Sequence, residues 1–315
     1  MQALLLRSPK AIYSWLATFF YQLPHRLMKI AILGSSGLIG HKLFQILSES
    51  EHDTVGLVHG SKDRFKEFDF LQTPATIDGL DVLDFDGLTK TLSELKPDVV
   101  MNCVGITKRK PEVDEPLLAI GVNSMFPHKL AELAGKNNFR VVHFSTDCVF
   151  NGQLGNYNEE SVTTGEDAYG QTKALGEIRY PHTLTIRSSF IGRELAGRTE
   201  LLEWLISQDG KTIKGFTKAM YSGVSTHVMS RVVLDIIENH PEISHLHQLS
   251  TAEPISKYDL LCLARDAFKL DIEIIPDDSF EIKPTLDSAK LRTAMDVKVP
   301  SWEEMMAEIA ADPTY

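Results

Sequence analysis

Tyr169 and Lys173 stand four residues apart in Tyr169-Gly170-Gln171-Thr172-Lys173-Ala174-Leu175-Gly176-Glu177, with Ser145-Thr146-Asp147 a short way upstream. On a helix, positions i and i+4 share a face. An ammonium beside a phenol favours the ionised form and lowers a pKa that is ordinarily about 10. A tyrosine tuned in that way exchanges a proton with a carbonyl oxygen near neutral pH. The Thr146 hydroxyl can polarise the same oxygen. These residue types suit carbonyl reduction. The spacing alone is common on amphipathic helices with a solvated lysine, so the assignment depends on the elements that position it.

Those elements begin at Lys29–Leu33, a short apolar run of the kind a buried parallel strand requires. Gly34-Ser35-Ser36-Gly37-Leu38-Ile39-Gly40 follows, and His41 to Leu47 then shows helical spacing. Glycines at the first, fourth and seventh places allow a tight turn, backbone approach to a pyrophosphate, and close helix–strand packing. The free N–H groups at the helix start attract phosphate, which makes Ser36, Leu38 and Ile39 candidate contacts as well. A purely structural glycine turn is the plainer alternative.

Strand and helix patterns go on alternating. Thr54 to Val58 reads as a second strand, Leu88 to Leu95 as a helix, and Pro97 to Gly105 as a turn and strand. Leu117 to Ala134 is helical, and Arg140 to Phe144 is a strand that enters Ser145-Thr146. The rhythm predicts an α/β fold with a doubly wound parallel sheet, which binds ligands at the carboxyl ends of its strands. Gly34, Asn102, Gly105 and Thr146 all fall at such ends. Past the second strand, His59-Gly60-Ser61-Lys62-Asp63-Arg64 has no acid at its first places and offers Ser61, Lys62 and Arg64. Cations there suit a 2′-phosphate, so NADPH is expected, with NADH the alternative. Solvated loop charges are the bland reading.

Composition limits the function classes. The 315 residues are 43% hydrophobic and 24% charged, ordinary for a globular protein, with a formal charge of −11 that argues against nucleic acid. Cys103, Cys148 and Cys262 are odd in number and widely spaced, as in a reducing cytoplasm. The His240 to His247 stretch lacks zinc-type spacing, and no metal is expected. Residues 1–27 carry Arg7, Lys10, His25 and Arg26 around an apolar run from Ala11 to Leu23. They read as an extension ahead of a start at Met28, with a membrane-surface helix or a cleaved targeting segment as alternatives.

Taken together, these motifs resemble the extended short-chain dehydrogenase/reductase superfamily, and within it the dTDP-4-dehydrorhamnose reductases and related sugar-nucleotide reductases. The residues that carry the resemblance are Gly34, Gly37 and Gly40; Asp81-Val82; Asn102-Cys103-Val104-Gly105; Val122-Asn123; Ser145 to Phe150; Tyr169 to Glu177; and Arg187-Ser188-Ser189. The resemblance implies a Rossmann domain over 28–190 and a smaller, mixed substrate lobe over 191–315, with about 225–250 returning to the first domain. It implies Tyr169 as proton donor, Lys173 on the nicotinamide ribose and lowering the Tyr169 pKa, and Thr146 aligning the substrate carbonyl. Asp81 and Val82 would meet adenine, and Asn102, Cys103, Val104, Gly105 and Asn123 would line the cofactor with His59, Ser61, Lys62 and Arg64. Asp147, Cys148, Arg187, Ser189 and Tyr221 would face a nucleotide sugar. The implied reaction is hydride transfer to the 4-keto group of a nucleotide-linked 6-deoxysugar, in cell-surface polysaccharide precursor synthesis, and a homodimer is implied as well.

Departures separate the neighbouring activities. Sugar 4,6-dehydratases place Thr-Asp-Glu where this chain has Thr146-Asp147-Cys148, which disfavours dehydration. GDP-fucose synthases use a Cys at the place of Cys148 with a His just beyond the segment matching Phe190-Ile191-Gly192; here Arg193-Glu194 follow, leaving Glu194 as the substitute an epimerase would need. Cys148 is otherwise a packing residue. A regulatory reading stays open, because the beta subunit of methionine adenosyltransferase resembles these reductases too.

Overall fold

Ile30 and Ile32 face one side of the first strand, Ala31 and Leu33 the other, and all four are buried. That two-sided burial is what a central parallel strand demands. In this computed structural model, which describes residues 26–315, the strands are β1 (Lys29–Leu33), β2 (Asp53–Leu57), β3 (Thr76–Ile77), β4 (Val99–Asn102), β5 (Arg140–Ser145), β6 (Thr183–Arg187), β7 (Phe190–Ile191), β8 (Thr212–Tyr221), β9 (Val224–Ser225), β10 (His245–Gln248), β11 (Ile255–Ser256) and β12 (Glu273–Ile282). The helices are α1 (Gly40–Ser48), α2 (Phe85–Leu95), α3 (Pro116–Ala119), α4 (Phe126–Asn137), α5 (Ala168–Leu175), α6 (Leu201–Ile206), α7 (Thr226–Asn239), α8 (Lys257–Phe268), α9 (Ala289–Ala294) and α10 (Trp302–Ala310). The readings made for residues 1–27 lie outside the described residues up to residue 25.

The main sheet runs β3-β2-β1-β4-β5-β6-β10 with every pair parallel. One face carries α1 and α7, where Leu43, Phe44 and Leu47 meet Val228, Val232 and Ile236. The other carries α2 and α4 through Leu88, Leu92, Phe126 and Leu130. Register aligns the carboxyl ends: Leu33 lies opposite both Leu57 and Asn102, Asn102 opposite His143, and Ser145 opposite Arg187. The loops after β1, β4 and β5 therefore open onto one edge. Between β9 and β11 the chain returns to this sheet, since α7 packs on α1 and β10 pairs with β6. The remaining C-terminal elements form a three-stranded sheet, β11-β8-β12, covered by α8.

One helix differs from the sequence expectation. Leu117 to Ala134 reads as one continuous helix, yet Ile120–Met125 is a π turn between α3 and α4. Pro127 has no N–H to return to the Asn123 carbonyl, and its ring crowds the preceding turn. Widening to the π pattern relieves that conflict, and such turns recur at functional sites.

Two glycines carry the loop after β1. Gly34 has φ +80°, in the left-handed region, and a Cβ on Gly40 would lie 2.1 Å from the Gly34 carbonyl oxygen. Gly40→Ala is expected to lower the unfolding free energy by about 1–3 kcal/mol through overpacking. An unchanged urea midpoint would show that the loop relaxes freely.

Candidate active site

α5 carries Tyr169 and Lys173, and its seat is fixed at both ends. The Asp167 carboxylate caps its start, accepting from the Gly170 N–H at 2.7 Å. A Cβ on Gly170 would lie 2.3 Å from the Cys148 carbonyl oxygen, and one on Gly176 would lie 1.9 Å from that of Asn123. Only glycines let the helix pack this tightly on the Asp147–Val149 turn and on the π turn. The π turn also delivers two side chains. Ser124 donates to the Thr172 carbonyl at 2.8 Å, and the Asn123 amide donates to the Ile106 carbonyl and the Thr172 hydroxyl while accepting from the Ile106 N–H at 2.8 Å. Asn123 thus ties the loop after β4 to α5.

Beyond the helix, Glu177 is almost wholly buried. It accepts from the Arg187 guanidinium at 2.8 and 2.6 Å and from the Ser145 hydroxyl at 2.8 Å. This joins the end of α5 to β5 and β6 where Thr146 emerges. The expectation that Arg187 faces substrate is corrected: it has no exposed surface, and the Phe150 ring lies 4.8 Å from the guanidinium. It is a core ion pair.

Thr146, Tyr169 and Lys173 converge at the strand ends, with a change in the expected electrostatics. Tyr169 is half-buried, and burial pushes its phenol well above its ordinary value. The nearby Cys148, Asp147 and Glu200 groups act in the same direction, and the neighbouring Thr146 hydroxyl opposes them. The Lys173 ammonium does not turn to the phenol. It donates to the Phe144 carbonyl at 2.7 Å, and burial brings it down to about 8 despite the Glu177 charge. The shared helix face is real; the pairing that would lower the Tyr169 pKa is absent among the described residues.

On the cofactor side, Gly34 meets Val104 and Cys103, whose nearest atoms would stand 3.2 and 3.4 Å from a Cβ there. A Cβ on Gly105 would stand 3.9 Å from the Lys173 ammonium. Asn102 is buried, receiving the Val104 N–H at 3.2 Å and contacting the His143 ring at 3.1 Å. The Ser36, Leu38, Ile39 and Gly40 N–H groups have no backbone acceptor among the described residues. His59 is exposed, and Ser61 caps the short helical turn that follows it. Lys62 departs from the expected phosphate contact, since its ammonium faces the Thr73 and Thr76 carbonyls at 3.4 and 3.3 Å. Arg64 is exposed and without an ion pair among the described residues. Asp81 is spent on its own turn, accepting from the Leu83 N–H at 2.9 Å, while Val82 packs against the core.

The substrate side is lined from both lobes. Burial raises the Asp147 carboxyl, and Lys257 opposes that shift along with a hydrogen bond from the Thr146 hydroxyl at 3.2 Å. Burial and the Asp147 charge push the Cys148 thiol up to about 12. Burial raises the Tyr221 phenol, and the nearby Ser189 opposes that shift. Glu194 does not reach this group, because its carboxylate accepts from the Thr199 and Glu200 N–H groups at 2.7 Å each. Glu200 does approach it, with Arg109 3.7 Å away, and burial raises its carboxyl. Glu200 and Lys257 were invisible to motif reading, since neither sits in a spacing that signals chemistry.

A family model described as the RmlD substrate binding domain matches residues 28–314. The chain belongs to that family. A Streptomyces antibioticus protein named a probable dTDP-4,6-dihydroxy-2-methyloxan-3-one 4-ketoreductase is 28% identical, over 85% of this chain and 84% of its own. The beta subunit of methionine adenosyltransferase 2 from Xenopus tropicalis is 27% identical, over 76% and 72%. The fold of this family member matches that of a Bacillus anthracis dTDP-4-dehydrorhamnose reductase solved in complex with NADP, with a TM-score of 0.75, 18% identity, and 90% and 98% coverage.

Glu177→Ala would leave Arg187 charged and buried without its partner, and is expected to cost about 3–5 kcal/mol of unfolding free energy. A loss below about 1 kcal/mol in denaturant titration would show that the pair does not hold α5.

Proposed function

We propose that the protein reduces the 4-keto group of a nucleotide-linked 6-deoxysugar with NADPH, in the supply of precursors for surface polysaccharide. The observation that carries this reading is the convergence of Thr146, Tyr169 and Lys173 on the strand ends beside the glycine loop. Gly34 to Gly40 would hold the pyrophosphate, Asn102 to Gly105 would line the dinucleotide, and Arg64 would meet a 2′-phosphate. When bound, the nicotinamide supplies hydride.

The chain's own residues would do the rest. Thr146 would hold the C4 oxygen, and Tyr169 would give it a proton as negative charge develops there. A phenol held well above its usual range keeps its proton at neutral pH. That is the state a donor needs. Lys173, cationic below about 8, would fix the dinucleotide beside the phenol.

Simple reduction fits better than epimerisation. Proton exchange next to the keto group needs an acid and a base on the sugar. The Cys148 thiol is held neutral, and Glu194 is spent on backbone amides. The likeness to a methionine adenosyltransferase beta subunit favours a second reading, a regulatory binding subunit. NADPH oxidation with 4-keto-6-deoxy nucleotide sugars separates the two, since a binding subunit would hold the dinucleotide without turnover.

Tyr169→Phe is expected to lower turnover by about 10²–10⁴-fold while leaving NADPH affinity nearly unchanged. Unchanged turnover would remove the phenol from the reaction. Arg64→Ala is expected to weaken NADPH by about tenfold through loss of a charge-assisted contact, with NADH little affected. Equal losses for the two dinucleotides would remove the 2′-phosphate assignment.

A further inference from the structure

His41, on the first turn of α1, is completely buried beneath the glycine loop. Its backbone N–H and its ring Nδ1 both reach the Gly37 carbonyl, at 3.0 and 2.8 Å. A carbonyl only accepts, so Nδ1 carries the proton and Nε2 carries the lone pair. That lone pair faces the hydroxyl of Tyr315, whose ring stands edge-on to the imidazole at 5.9 Å. The hydroxyl therefore donates. Burial draws His41 down to about 4, which keeps the ring neutral around pH 7.

Tyr315 is itself firmly placed. The Arg193 guanidinium lies 4.7 Å from the centre of its ring, and the Lys42 ammonium 5.6 Å. Thr314 accepts from the Gln45 amide at 2.9 Å. Asp312 pairs with Lys42, and the His227 Nε2 lies 2.8 Å from the same carboxylate. Arg193 pairs in turn with Glu203 of α6. Residues 312–315 are thus fastened to α1, to α7, and through Arg193 to the C-terminal lobe.

The peptide plane gives this chain of bonds a consequence at the ligand face. In a trans peptide the carbonyl and the following N–H point in opposite directions. Holding the Gly37 carbonyl down toward His41 therefore aims the Leu38 N–H out of the amino end of α1. Leu38 is one of the loop residues whose N–H has no backbone acceptor among the described residues. A loop free to rotate about that plane would lose one of the donors a pyrophosphate needs.

We propose that Tyr315 is a positioning residue for the dinucleotide, acting through a Tyr315–His41–Gly37 relay that fixes the orientation of the Gly37–Leu38 peptide. The proposal rests on the dinucleotide-binding reading of the glycine loop. It assigns to the segment 312–315 a part in cofactor affinity that its distance along the chain conceals.

Tyr315→Phe tests this, because it keeps the ring under Arg193 and removes only the hydroxyl. Nitrogen-15 spectra of the histidines in the dinucleotide-free protein should show His41 as the Nδ1–H tautomer in the parent and a mixture in the variant. Titration of NADPH fluorescence should show a Kd raised about fivefold, the effect of one neutral hydrogen bond on the loop, while KM for the sugar nucleotide stays as in the parent. A merely structural role would lower the unfolding midpoint and leave the Kd, measured well below that midpoint, unchanged; that result overturns the relay. A parent with His41 in the Nε2–H tautomer also overturns it. A parent that binds no dinucleotide would overturn both the relay's role and the cofactor reading beneath it.

Discussion

The buried Glu177–Arg187 pair is the constraint on which the site depends. Neither side chain has appreciable exposure; Arg187 ends β6 at the reactive edge of the sheet, and Glu177 follows α5. Such a pair gives little net stability over apolar packing, because two ions must leave water. Its value here is directional. A guanidinium and a carboxylate joined through two nitrogens tolerate little rotation. The Ser145 hydroxyl adds a third point, so α5 cannot slide along β5 without breaking a buried bond. Thr146 follows Ser145 and Lys173 precedes Glu177, so the pair fixes the groups proposed for proton transfer relative to one another.

That fixation separates two jobs that the Tyr–Lys spacing invites one to merge. The ammonium of Lys173 goes to the Phe144 carbonyl, and the Glu177 charge helps to keep it protonated against burial. The phenol of Tyr169 lies among Cys148, Asp147 and Glu200, surroundings that oppose its ionisation. One group is tuned to remain a cation and the other to remain an acid. The electrostatics of the strand edge therefore hold the two groups in different protonation roles.

Much of the fold was legible because burial on both faces of a parallel strand leaves a strong trace. Lys29–Leu33, Arg140–Phe144 and the glycine loop could be placed from apolar runs and turn chemistry alone. The misses have a common cause. The π turn at Ile120–Met125 arises from a lost hydrogen bond at Pro127 inside a segment whose apolar period is helical throughout. Arg187 was assigned to substrate by resemblance and Lys62 to phosphate by its charge, yet one meets a carboxylate in the core and the other meets backbone carbonyls. Glu200 and Lys257 reach the site through the lobe's tertiary path. Sequence shows which residues can do chemistry; long-range packing decides which of them face it.

Cys148 shows the same point at the level of activity. Beside Tyr169 and Asp147, a thiol reads equally well as a base or as a space-filling group. The choice turns on whether a thiolate can form, and here burial and the neighbouring carboxyl both oppose it. Lys108 pulls the other way but is largely committed to Asp167, 2.5 Å from its ammonium, at the cap of α5. The same Asp167 that orients the helix thus removes the cation that would activate the thiol. A site built this way keeps the thiol neutral and leaves Cys148 no role as the base that epimerising beside a ketone would ask of it.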